Sequence, residues 1–261
     1  MDMEGGVAIV TGSSSGVGAA CARQLAEKGA HVVINYASNA AGAEATRQAC
    51  EAFGVETEVV QADVSEDADC RRLTQAALDR WGRIDALVNN AGTTVFCEHQ
   101  NLDGLDKADF QHIYAVNTVG PFQMARAVEP AMRRGGRGAI VNVASIAGVM
   151  GIGSSIAYAA SKGALITLGL SLARVLGPEI RVNTICPGFI QGDWLEQGMG
   201  SERYAATKAF LEESTPLKLT TTPDTIAEGV LYFICGADVV TGETLIMDGG
   251  HHLNQLPSGR R

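Results

Sequence analysis

Short runs of valine and isoleucine recur along this chain, each followed by a segment of helical periodicity. The runs are GVAIVT (6–11), HVVIN (31–35), VETEVVQ (55–61), RIDALVNN (83–90), AIVNVAS (139–145), EIRVNTIC (179–186) and ETLIMDGG (243–250). Helical patterns fill 17–28, 40–53, 66–81, 106–133, 157–176 and the stretch from Pro223 to about 235, with a break expected near Gly120–Pro121. Strands that are apolar throughout are buried on both faces, which is the habit of a parallel sheet. The alternation therefore predicts an α/β fold: a single-domain, Rossmann-type, doubly wound parallel sheet of about seven strands with helices on both faces. No linker or repeat interrupts 1–261, so one domain is expected. The polar stretch 189–222 is too long for an ordinary connection and reads as a lid over a site. The tail HHLNQLPSGRR reads as poorly ordered at its end.

Composition narrows the function classes. Aromatics are only 5%, so the core must be built from Ala, Val, Ile and Leu. A net charge of −9 argues against a nucleic-acid partner. No apolar run is read as approaching the roughly 18 residues of a membrane span, and MDMEGGVAIV lacks the form of a signal peptide. Six scattered cysteines without a CxxC pair read as reduced thiols, giving a cytoplasmic expectation with no metal site.

The first strand runs into TGSSSGVG (11–18) and then a helix. This is not GxGxxG, but the physics is shared. Backbone without Cβ lets a pyrophosphate approach the free N–H groups of a helix start. After the second strand comes NYASNAAG (35–42), with no acid before Glu44. An acid there would bind the ribose 2′-hydroxyl of NAD and repel the 2′-phosphate of NADP. Tyr36, Ala37 and Ser38 leave room for a phosphate, though no basic residue stands beside them and Ser15 is not basic either. NADP(H) is favoured over NAD(H). The alternative for Ser38 is that it caps the next helix.

Taken together, these segments resemble the short-chain dehydrogenase/reductase family over nearly the whole chain, most closely its 3-oxoacyl-carrier-protein reductase and sugar or alcohol dehydrogenase branch. The resemblance rests on TGSSSGVG, on Asp63-Val64, on NNAG (89–92), on Pro187-Gly188, on the terminal DGG (248–250) and on Asn117, Ser145, Tyr158 and Lys162 in the family's Asn-Ser-Tyr-Lys order. It implies a cofactor groove lined by Gly12, Ser14, Ser15, Gly16, Val17, Tyr36, Ala37, Ser38, Asp63, Val64, Asn90, Ala91, Gly92, Tyr158, Lys162, Pro187, Gly188 and Ile190. It also implies a homo-oligomer, tetramer or dimer, acting on a small carbonyl or alcohol. Two departures stand out. Gly192 occupies a place where the family often has a threonine that holds the nicotinamide carboxamide. CGADVVTGE (235–243) is shorter than the usual connection before the last strand.

YAASK (158–162) is nearly repeated by YAATK (204–208). Each places a phenol and an ammonium on one helix face. Context separates them. Tyr158 follows Ser145, which closes a strand, and precedes the apolar run GALITLGLSLA (163–173). Active sites of open α/β sheets lie beyond strand carboxyl ends. Tyr204 and Lys208 lie in the polar lid and read as the face of a lid helix, with substrate contact by Tyr204 as the alternative. A free phenol titrates near 10, and a neighbouring cation lowers that value. Lys162 would supply the charge, and Ser145 would hydrogen-bond the substrate oxygen. On the resemblance, Lys162 also grips the ribose, and Asn117 holds a water that relays protons. The expected activity is hydride transfer between NADP(H) and a carbonyl or secondary alcohol, with Tyr158 as general acid/base. A non-catalytic nucleotide sensor, and an isomerase or dehydratase using the cofactor transiently, remain as other readings. His251 and His252 read as surface or interface residues, Cys97 and His99 as loop residues, and MRRGGRG (132–138) as a solvated turn.

Overall fold

The computed structural model describes residues 1–254; the end of the tail lies outside them. Seven parallel strands form one sheet in the order β3-β2-β1-β4-β5-β6-β7. They are β1 (Val7–Val10), β2 (His31–Tyr36), β3 (Thr57–Gln61), β4 (Ala86–Asn89), β5 (Gly138–Val143), β6 (Ile180–Pro187) and β7 (Thr244–Met247). The connecting helices are α1 (Gly16–Glu27), α2 (Ala40–Glu51), α3 (Asp67–Trp81), α4 (Lys107–Tyr114), α5 (Gly120–Arg134), α6 (Ala147–Met150), α7 (Ile156–Leu176), α8 (Asp193–Met199), α9 (Ser201–Ser214) and α10 (Pro223–Leu231).

Successive strand residues face opposite sides, and both sides are apolar. Ala8, Val10, Val32, Ile34, Val88 and Val141 meet Leu25 of α1 and Ile226 and Val230 of α10 in one core cluster. Val7, Ile9, Val33, Leu87, Ile140 and Val182 meet Leu73 of α3, Met124 and Val128 of α5 and Leu172 of α7 in the other. This is why the strand runs are apolar at every position. The strand order reverses between β1, which pairs with β2, and β4, which pairs with β1 on the other side. That reversal opens a crevice beyond the carboxyl ends of these strands.

Several expectations change in detail. The break near Gly120–Pro121 takes the form of a π-helical turn, Ala115–Val119, which joins α4 to α5, with Pro121 in the first turn of α5. A second π-turn, Tyr232–Gly236, closes α10. The lid is not one segment but two helices, α8 and α9, with a single bridge between Ile190 and Thr221 tying its base. The α7 helix, contrary to the reading of the apolar runs, is long and apolar enough to cross a membrane by length and composition alone, with mean hydropathy 1.4. In the fold it packs on the sheet and carries the buried Lys162. All six cysteines are free. MRRGGRG is more than a solvated turn, since Arg133 pairs with both Glu129 and Glu179.

Candidate active site

Three strand ends meet at the glycine loop. Thr11 Oγ1 accepts hydrogen bonds from Asn90 N at 3.0 Å and Ala91 N at 3.1 Å. Asn90 Nδ2 donates back to the Thr11 and Gly12 carbonyls, both at 3.0 Å. The glycine loop and the NNAG turn are thus one unit. A Cβ on Gly12 would lie 2.9 Å from Ala91 Cα, and one on Gly18 would overlap the Gly12 carbonyl oxygen, so both positions require glycine. Gly16 has φ +54°, and nothing lies within 4 Å of where its Cβ would stand. Ser15, ahead of α1, makes no side-chain cap, which leaves the first N–H groups of the helix unspent. A bare backbone, an open front and an uncapped twelve-residue helix fit a pyrophosphate well.

The structure adds residues that the sequence reading did not assign. Asn35 is 2% exposed. Its Oδ1 accepts from Gly12 N at 2.9 Å, and its Nδ2 donates to Ala62 O at 3.0 Å. Ser13 Oγ donates to Val10 O at 2.8 Å and accepts from Asn35 N at 2.9 Å. Thr11, Ser13 and Asn35 therefore hold the loop in shape. The signal was present as polar residues within otherwise apolar strand ends.

At the end of β2, Ala37 and Ser38 are exposed. The α2 cap is Asn39, whose side chain accepts from Gly42 N, so Ser38 is not the cap. Glu44 is held by Arg47, whose hydrogen bond pushes its carboxyl down to about 2. Asp63 is exposed and accepts from Ser65 N and Oγ, whereas the Val64 side chain is buried. Gly188 lies against Asp248, Pro187 ends β6, and Ile190 is half-buried at the base of the lid.

The four residues expected to act together do converge. Ser145 follows β5, and its Oγ accepts from Ala147 N at 3.1 Å. Ser155 caps α7 by accepting from Tyr158 N, which sets the start of the helix one turn before the phenol. Burial pushes the Tyr158 hydroxyl up to about 12, and the neighbouring Ser145 side chain opposes that shift. Lys162 is 3% exposed; its Nζ donates to Val143 O at 2.9 Å and lies 5.6 Å from the Tyr158 ring centre. Burial lowers its pKa to about 8. A Cβ on Gly92 would stand 3.4 Å from Lys162 Nζ, so the NNAG turn passes directly over the ammonium.

Asn117 sits in the π-turn, fully buried. Its Nδ2 donates to Thr93 O and Ser161 Oγ, and its Oδ1 accepts from Thr93 N at 2.8 Å. Both amide protons are spent on protein groups. The side chain joins the loop after NNAG to α7.

YAATK has a different fate. Lys208 Nζ pairs with Glu212 at 2.5 Å. The Tyr204 hydroxyl accepts from Gly192 N at 3.1 Å, and its ring meets Phe189 at 5.2 Å. The pair locks the lid and does not meet Ser145. Gly192 has φ +146°, a backbone conformation closed to threonine, which accounts for that departure. His252 is not simply a surface residue, since its Nδ1 meets the buried Asp248 carboxylate at 2.9 Å. In the short connection before β7, Val240 O accepts from Asn183 Nδ2 at 3.0 Å.

Residues 12–252 match a family profile described as Enoyl-(Acyl carrier protein) reductase. A protein assigned as ketoacyl reductase 2 of the granaticin polyketide synthase of Streptomyces violaceoruber is 40% identical over 250 residues, covering 96% of this chain and 97% of that one. The chain belongs to the short-chain dehydrogenase/reductase family. Among solved structures, a protein from Burkholderia xenovorans assigned to the short-chain dehydrogenases/reductases superposes with a TM-score of 0.89 at 39% identity, covering 96% of this chain and 99% of that one. An NAD+-bound xylitol dehydrogenase superposes with a TM-score of 0.86 at 28% identity, covering 96% and 100%. As a member of this family the protein is an NAD(P)-dependent oxidoreductase.

Proposed function

We propose that this dehydrogenase/reductase moves a hydride between NADP(H) and a small carbonyl or secondary alcohol, with Tyr158 giving or taking the proton. The observation that carries the reading is the buried Lys162 ammonium beside the Tyr158 ring, with the Ser145 hydroxyl next to the phenol. The relatives named for ketoacyl reduction and for xylitol oxidation share the same reacting group, a carbonyl or its alcohol.

The glycine loop, the NNAG turn and Lys162 would hold a nicotinamide cofactor, which when bound supplies or accepts the hydride. The chain's own residues handle the oxygen. Ser145 donates a hydrogen bond to the carbonyl oxygen and stabilises the charge that develops there. Tyr158, neutral at rest, donates its proton to that oxygen in reduction and takes it back in oxidation. Lys162 keeps a positive charge beside the resulting phenolate, which offsets the desolvation that otherwise holds the phenol's pKa high. Asn117 is a positioning residue, fixing the loop after Gly92 against α7.

The uncommitted Ser38 and the absence of an acid at the end of β2 favour NADP(H). The NAD+-bound relative favours a second reading, NAD(H), since no base stands at 36–39 to bind the extra phosphate. The exposed Val119, Phe122, Leu170 and Val175 support a homo-oligomer. The test is oxidation of NADPH and NADH by a panel of ketones. Tyr158→Phe is expected to abolish turnover while circular dichroism stays native. Full activity in that variant would overturn the mechanism.

A further inference from the structure

Two segments frame the space in front of Tyr158: the loop 93–105 and the lid helix α8. Each contributes one aromatic side chain. Phe96 meets Trp194 with ring centres 5.7 Å apart at 54°, and Trp194 meets Tyr158 at 6.2 Å and 45°. Tilted pairs at these separations are favourable aromatic contacts. Trp194 nevertheless keeps 50% of its surface exposed and Phe96 keeps 36%. The indole thus presents an apolar face to the space beside the Tyr158 hydroxyl, where a flat ring can stack on it.

The wall is also held in place. Gly198 lies one turn beyond Trp194 on the same helix face. A Cβ there would overlap the edge of the Phe96 ring, so the ring lies directly against α8. At the rim, Arg203 pairs with Glu98 and ties lid to loop a second time. The charges around this opening are lopsided. The loop 93–105 carries Glu98 and Asp103 and no lysine or arginine. The start of the lid adds Asp193 and Glu196. Of the lid cations Arg203, Lys208 and Lys218, the first two are each paired with a glutamate. An anionic substrate would meet net repulsion here, and an uncharged one would not.

We infer that Trp194 and Phe96 form a specificity wall selecting uncharged ketones, or their alcohols, that carry a flat aromatic ring one methylene away from the reacting carbon. The ring lies against Trp194 while the oxygen reaches Tyr158 and Ser145. This rests on the hydride-transfer reading of the site and adds the substrate class to it.

The matched probes are 2-tetralone and 2-decalone, which share a carbon skeleton and carbonyl position and differ in one aromatic ring. Turnover of each is measured with NADPH and NADH in the wild type, Trp194→Ala and Trp194→Phe. Calorimetry with the oxidised cofactor present measures binding of each ketone without reaction. The wild type is expected to favour 2-tetralone by about tenfold in kcat/KM, mostly through KM, and by a similar factor in Kd. Trp194→Ala is expected to bring both ratios to about one, and Trp194→Phe to restore most of them. Wild-type ratios near one, or ratios that survive Trp194→Ala, overturn the wall. If neither ketone turns over with either cofactor but the calorimetric preference appears and vanishes in Trp194→Ala, the wall stands and the hydride-transfer reading falls. Turnover of both ketones without discrimination removes the wall and leaves hydride transfer standing.

Discussion

Lys162 has one protein acceptor, Val143 O, and almost no contact with solvent. A group so placed gives up part of its charge, and its pKa falls to about 8. In the free enzyme the ammonium is therefore charged below that pH and neutral above it. Carbonyl reduction is expected to hold its kcat/KM below about pH 8 and decline above, as the cation beside Tyr158 is lost. A profile of kcat/KM from acid to alkaline pH checks this, and Lys162→Met should show no such bend on its residual rate. The two tyrosines make a paired control. Tyr158→Phe removes the proposed proton donor and is expected to lower kcat by on the order of 10²–10⁴. Tyr204→Phe removes a lid hydrogen bond to Gly192 N and should act mainly on KM, by about threefold or less. Steady-state kinetics of both variants decides the assignment.

Among the elements, the β1–α1 turn and the end of β2 would act together in the proposed cofactor site because Asn35 joins them. Asn35→Ala would strand the Gly12 N–H and the Ala62 carbonyl, costing about 1–3 kcal/mol of stability and loosening the phosphate loop. Thermal melts and cofactor titration should move together in that variant. Cofactor choice belongs to the same pair of elements. Ser38→Asp places a carboxylate where a 2′-phosphate would sit, so the NADPH-to-NADH ratio of kcat/KM is expected to fall by about tenfold or more. A ratio that does not move would remove Ser38 from the cofactor site. The lid behaves as two short helices, pinned by the Tyr204 hydroxyl and by Ile190 against Thr221. Its helices bury little of their own surface, since Leu211 is the one buried residue in α9 and α8 has none. Few buried contacts mean low local stability, which suits a segment that must admit substrate.

For the molecule as a whole, the active site opposes stability. The folded pKa of Lys162 lies below its ordinary 10.5, so the unfolded chain binds more protons between about pH 8 and 10.5. The contribution of this residue to stability therefore rises with pH across that window. Tyr158 acts oppositely. Its folded pKa is raised from 10.0 to about 12, so the folded chain holds the extra proton and stability falls as pH rises through that range. At pH 7, Lys162→Met exchanges a desolvated ammonium for an apolar side chain and should raise unfolding stability by about 1–3 kcal/mol while activity is lost. Urea unfolding of the two proteins at pH 7 and at pH 10 tests this, with the gap expected to narrow at the higher pH. A variant less stable than the wild type at pH 7 would show that the Val143 hydrogen bond outweighs the desolvation.

The strands, their parallel arrangement and the position of the glycine loop were legible in the chain itself, because burial on both faces demands unbroken runs such as HVVIN and EIRVNTIC. The place of Ser145 at a strand end and of Tyr158 and Lys162 at the start of an apolar helix was legible for the same reason, whereas their roles came from the family resemblance. The tail of the sequence beyond 254 lies outside the described residues. What periodicity could not show was anything set by contacts between distant segments. The π-turn that buries Asn117 depends on Thr93 and Ser161. The preference of Asn39 over Ser38 as the α2 cap depends on how the chain leaves β2. The conformation of Gly192 depends on Tyr204, twelve residues on. Trp194, Phe96 and Tyr158 come from a lid, a loop and a core helix with no shared pattern. Local sequence determined the fold and the place of Tyr158 behind a strand-end serine, since each rests on periodicity and strand ends. Only tertiary packing decided which aromatic rings stand in front of that tyrosine, because they meet across gaps of 36 to 98 residues that no repeat connects.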